Sequence, residues 1–71
     1  MPTTHFALPT MVSTDDADAV MFELQDLPCI HVADVNLPQR TAWAEHTNFI
    51  SPEEIAAALV EAGYPATVIA G

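Results

Sequence analysis

The chain has no lysine and a single arginine, Arg40, against ten acidic residues in its 71, so its formal charge is −9. That poverty of cations excludes a nucleic-acid binder, because a phosphate backbone is held by Lys and Arg that displace its counterions. It also disfavours adsorption to anionic lipid and points to a positively charged partner. Cysteine is almost as scarce. Cys29 stands alone, which excludes an internal disulfide and with it a stapled, secreted mini-protein. No apolar run reaches the ~18–20 residues of a membrane span, so this segment is not expected to insert in a membrane. The first residues lack a basic start followed by an apolar stretch, which reads against a signal peptide. What is present is apolar: 51% hydrophobic residues with only 15% charged, a globular balance rather than a disordered one. Residues 1–71 are too few for two cores and read as one domain.

Proline and glycine punctuate the chain at Pro9, Pro28, Pro38, Pro52 and the Gly63-Tyr64-Pro65 step. From Thr4 to Pro9 the residues alternate, with Phe6 and Leu8 on one side, as in a half-buried strand. Ser13 followed by Asp16 makes a near capping box, and acidic groups at 15, 16 and 18 suit the positive end of a helix. Ala17, Val20, Leu24 and Leu27 then recur at helical spacing, Met21 widens that stripe, and Phe22 falls on its far side. Pro28 ends this helix.

Ile30 to Leu37 and Thr41 to Thr47 read as two strands joined by the Leu37-Pro38-Gln39-Arg40 turn. Ser51 at the N-cap, Pro52 at N1 and Glu54 at N3 open a second helix. Its apolar stripe is Ile55, Ala58, Leu59 and Ala62, and Gly63 supplies a left-handed stop. Thr67 to Ala70 closes the chain as a short strand. The order βαββαβ predicts an α+β, ferredoxin-like sandwich: a four-stranded antiparallel sheet with two helices on one face.

Particular stretches say more than the order does. They are Leu27-Pro28-Cys29-Ile30, Val35-Asn36-Leu37-Pro38, Ser51-Pro52-Glu53-Glu54-Ile55-Ala56-Ala57-Ala58-Leu59 and Ala62-Gly63-Tyr64-Pro65-Ala66. On these residues nearly the whole chain resembles the heavy-metal-associated domains, small metal carriers and N-terminal modules of metal-transporting P-type ATPases. The resemblance implies a metal ion delivered through Met-x-Cys-x-x-Cys in the loop before the first helix. Met11 matches that motif, but the two cysteine positions fall on Ser13 and Asp16. Cu(I) and Zn(II) want sulfur or imidazole, and serine offers neither. Two readings of the loop stay open: Ser13 and Asp16 as helix caps alone, or Asp15, Asp16 and Asp18 as a weak site for a hard ion.

Cys29 replaces a glycine that the family usually has before its second strand. If Asn36 faces Thr41 across the hairpin, counting outward pairs Val35 with Ala42, Ala33 with Ala44 and His31 with His46. Opposed side chains have Cβ atoms about 4.5–5.5 Å apart, near enough for two imidazoles to share an ion. Cys29 has the same strand parity as His31 and joins them if the strand starts early enough. Cys29, His31 and His46 are therefore the candidate ligands for one Cu or Zn ion, with a coordination position left open for exchange. The plainer alternatives are a cysteine used as a small buried hydrophobe and solvated strand histidines; a reactive thiol is a third. A register shift of two residues would separate the histidines. Trp43 and Glu45 fall on the helix-free face, where an exposed tryptophan suits a partner contact.

The sequence thus leads to a metal-ion-binding module that accepts or relays Cu or Zn and is no enzyme. The resemblance implies the cytoplasmic N-terminal domain of a heavy-metal P-type ATPase, tethered to that membrane transporter, or a free carrier. The implied partner is a positively charged face of a metal carrier or of the transporter body. The alternative is a metal-blind docking or regulatory domain that has kept the fold and lost its thiol site.

Overall fold

The computed structural model describes residues 2–70. Alternation sets the first strand, β1 (Thr3–Ala7), with Thr4 and Phe6 fully buried and His5 exposed between them. It stops short of the expected Pro9 because the chain turns at Leu8. The Leu8 N–H still donates to the Arg40 carbonyl at 2.8 Å, but Met11 N–H then folds back to the Leu8 carbonyl at 3.0 Å. Pro9, between them, has no N–H to continue a ladder.

Both helices begin at complete capping boxes. Helix α1 (Thr14–Asp26) starts from Ser13, whose hydroxyl accepts from Asp16 N–H while the Asp16 carboxylate accepts from Ser13 N–H. Ser51 and Glu54 do the same for α2 (Pro52–Glu61). Each box satisfies two amides that the helix leaves without partners. Ala17, Val20 and Leu24 bury one stripe of α1, and Ile55 and Leu59 bury one of α2. Gly63, at φ 98°, ends the second helix as expected.

The remaining strands are β2 (Ile30–Asn36), β3 (Thr41–His46) and β4 (Thr67–Ala70). The sheet order is β2-β3-β1-β4, and every neighbouring pair is antiparallel. The expected ferredoxin-like α+β sandwich is therefore present. Phe6, Ala33, Ala42 and Ala44 from the sheet, with Leu8 just past β1, meet Val20, Leu24, Ile55 and Leu59 from the helices in one core that also takes in Met11 and Ile50. The opposite sheet face has no helix over it. No helix is long and apolar enough to cross a membrane among the described residues.

Candidate functional site

Ser13 and Asp16, at the two positions where the family pattern has thiols, are fully engaged in holding the loop. The Asp16 Oδ2 accepts from the backbone N–H groups of Val12 (3.1 Å) and Ser13 (3.2 Å). Its Oδ1 accepts from the Tyr64 hydroxyl at 3.1 Å, a bond that ties this loop to the segment after α2. The Val12 amide, followed by the Tyr64 and Ser13 hydroxyls and the Ser13 amide, holds the Asp16 carboxyl below its usual pKa; partial desolvation opposes them. The same Asp16 carboxylate raises the Tyr64 phenol above its usual value. Met11 is fully buried beneath the loop, where its thioether packs against apolar neighbours. A hydroxyl and a hydrogen-bonded carboxylate are hard, occupied donors and do not fit Cu(I) or a thiolate-type zinc site.

The register decides the second candidate set. Asn36 pairs with Thr41, Val35 with Ala42 and Ala33 with Ala44, as the count along the hairpin predicts. The next expected pair is corrected by the structure: Ile30, not His31, lies opposite His46, because the ladder shifts between Ile30 and Val32. His31 is the extra residue of that β-bulge and is exposed. His46 instead turns into the core side of the sheet and is 2% exposed. Its Nδ1 donates to the Thr47 carbonyl at 2.9 Å, and its Nε2 accepts from the Thr4 hydroxyl at 2.7 Å. Both ring nitrogens are thereby used.

Cys29 sits just before β2 at φ 69°. That left-handed backbone explains why the family pattern has glycine there. Its carbonyl accepts from Thr47 N–H at 3.0 Å, and its half-buried side chain packs against the core. Cys29, His31 and His46 are thus near one end of the sheet but are not gathered into one donor set. No group of three or more His, Cys, Asp or Glu side chains arranged for a metal ion occurs among the described residues.

Two features of this region escape sequence reasoning. Strand alternation aims Thr4 inward beside Phe6, but its partner His46 follows only from the pairing of β1 with β3. The Tyr64–Asp16 bond joins residues 48 apart, and only the Gly63-Tyr64 step marked that tyrosine at all.

No protein-family model and no curated protein sequence matches the chain. Solved structures do. The copper-binding domain from HMA7, a P-type ATPase, superposes with a TM-score of 0.94 at 22% identity, covering 99% of this chain and 96% of that one. Oxidized MerP from Ralstonia metallidurans gives a TM-score of 0.91 at 22% identity over 96% of both chains. The CopZ metallochaperone gives 0.85 at 18% identity, over 93% of this chain and 100% of that one. The fold is that of the heavy-metal-associated domains, as the resemblance implied, and at these identities the likeness speaks for the fold.

Proposed function

We propose that this chain is a metal-blind docking module: a heavy-metal-associated fold retained to bind a protein partner after its thiol site was replaced by helix-capping chemistry. One observation carries the reading. Both carboxylate oxygens of Asp16 are committed, one to the Val12 and Ser13 amides and the other to Tyr64, and Ser13 accepts from Asp16 N–H. The loop that precedes α1 is, on this reading, a structural joint, tied to the segment after α2 by the Tyr64–Asp16 bond. On this reading the partner is a basic face of a metal carrier or of a heavy-metal transporter body. The module works on the cytoplasmic side, free or tethered to that transporter, and catalyses nothing.

Titration with Cu(I) under reducing conditions, and with Zn(II), tests the reading by following amide resonances. The expected result is no stoichiometric binding and no shifts at Ser13–Asp18, Cys29, His31 or His46. A one-to-one site that is lost in Cys29→Ala and in His31→Ala overturns it. That outcome restores a relay module whose ligands are Cys29, His31 and His46.

A further inference from the structure

The sheet face turned away from both helices is organised around the only tryptophan of the chain. The register sets three rows across it: Thr3–Glu45–Val32, His5–Trp43–Asp34 and Ala7–Thr41–Asn36. Trp43 is the central position. His5 and Asp34 flank it directly on the two neighbouring strands, and Glu45 lies two residues along its own strand on the same face. Opposed Cβ atoms are about 5 Å apart, and residues two apart along a strand are separated by about 7 Å. Two carboxylates therefore border the indole position, Asp34 beside it on β2 and Glu45 along β3.

Each of these residues faces outward, since Ala42, Ala44 and His46 alternate with them into the core. His5 and Asp34 are exposed, and Trp43 and Glu45 are half-buried. Asp34 uses one oxygen, Oδ1, on the Val35 amide at 2.8 Å, which leaves Oδ2 free to bind. The one guanidinium of the chain, Arg40, belongs to the β2–β3 turn, and ten acidic residues stand against it.

We propose that this open face docks a basic protein segment, with an arginine guanidinium stacked on Trp43 between Asp34 and Glu45. The proposal rests on the docking reading and names its surface and partner chemistry. Three arguments choose it. A planar guanidinium stacks on indole better than on any other side chain, and it bonds carboxylates through its fork of N–H donors. The ring is held between two strands, so little freedom is lost on binding. The net charge of −9 favours a cationic partner. A rival is the Phe22 stripe of α1, where Asp18 and Asp26 lie one turn to either side of an exposed ring. There the aromatic is the weaker cation acceptor, and it stands free on a helix surface.

The probe is an acetylated, amidated pentapeptide of alternating arginine and glycine, with lysine and glutamate versions as controls. Tryptophan fluorescence and amide resonances of the labelled protein are followed together. The expected result is saturable binding in the order arginine, lysine, glutamate. Shifts should centre on the Trp43 indole and the amides of His5, Asp34 and Glu45. Trp43→Leu, which keeps an apolar group on an open face, should weaken the arginine peptide at least tenfold with an unchanged far-ultraviolet spectrum. Asp34→Asn combined with Glu45→Gln should flatten the salt dependence. Shifts centred on Asp18, Phe22 and Asp26, equal binding by Trp43→Leu, or no preference over the glutamate peptide would each overturn the proposal. Metal binding in the separate titration would remove the metal-blind reading and leave these peptide outcomes standing or falling on their own.

Discussion

Cys29 shows how much one dihedral angle can decide. A side chain at φ 69° meets a steric penalty of about 1–2 kcal/mol that glycine escapes. Cys29→Gly should therefore raise stability, by less than about 1 kcal/mol because the half-buried thiol loses its packing. Cys29→Val, branched at Cβ, should lower it by about 2 kcal/mol. Denaturant midpoints with unchanged slopes report both, and a glycine variant weaker than the native chain would show that packing outweighs the backbone. Asp16 and Tyr64 act through protonation. The Asp16 carboxyl is held below its ordinary value of 3.8, so its contribution is complete above that pH and is lost as pH falls through the lower, folded value. The Tyr64 phenol is raised above 10.0; its contribution is complete below that pH and is lost as pH rises through the folded value. The contribution of this pair should be constant between these limits and fall outside them. Tyr64→Phe should show a shallower acid limb and no alkaline one in thermal melts against pH.

Among the elements, β1 and β3 are joined by more than their ladder. The Thr4–His46 bond is buried and links residues 42 apart in the chain. Thr4→Val keeps the shape and removes the hydroxyl, leaving the His46 Nε2 unpartnered. A buried orphan of this kind costs about 1–3 kcal/mol. Thr4→Ser, which restores the hydroxyl, should cost less than about 1 kcal/mol. Equilibrium unfolding of the two variants separates the hydrogen bond from the packing, and equal losses would mean that the bond contributes nothing. At this scale most of the architecture was legible. Both caps, the Gly63 stop, the helical stripes and the first three pairs of the hairpin register follow from residues close in sequence. The bulge at His31 was not legible, because no glycine marks it. It arises where the Cys29 carbonyl must meet the Thr47 amide and the strand takes up one extra residue to do so. That single residue takes His31 out of register with His46.

For the whole molecule the net charge of −9 is the dominant long-range term. Like charges on so small a body repel in the folded state more than in the expanded chain, and salt screens them, with a Debye length of about 10 Å at 0.1 M and 3 Å at 1 M. The melting temperature should therefore rise by a few degrees from about 0.01 M to 0.5 M sodium chloride. Chains of this size gain roughly 4–8 °C per kcal/mol. A melting temperature that falls with salt would mean that local pairs, the capping carboxylates and helix dipoles, outweigh the overall repulsion. The same field would draw in a cationic partner and be weakened by the same salt.

Local chemistry is what the sequence by itself determined: two capped helices, four strands at their places, a sheet with one apolar face, and a first loop built on Ser13 and Asp16. Each depends on neighbours within about one helical turn or on simple alternation, interactions that survive whatever the rest of the chain does. Only the tertiary structure decided what becomes of the chemistry-bearing side chains. His46 is turned inward to Thr4 and His31 outward on a bulge. Asp16 is locked by Tyr64 from across the fold, and Trp43 is set between His5 and Asp34. The physical reason is that strand pairing joins residues far apart in sequence, and the side-chain period of two turns a one-residue slip into a change of face.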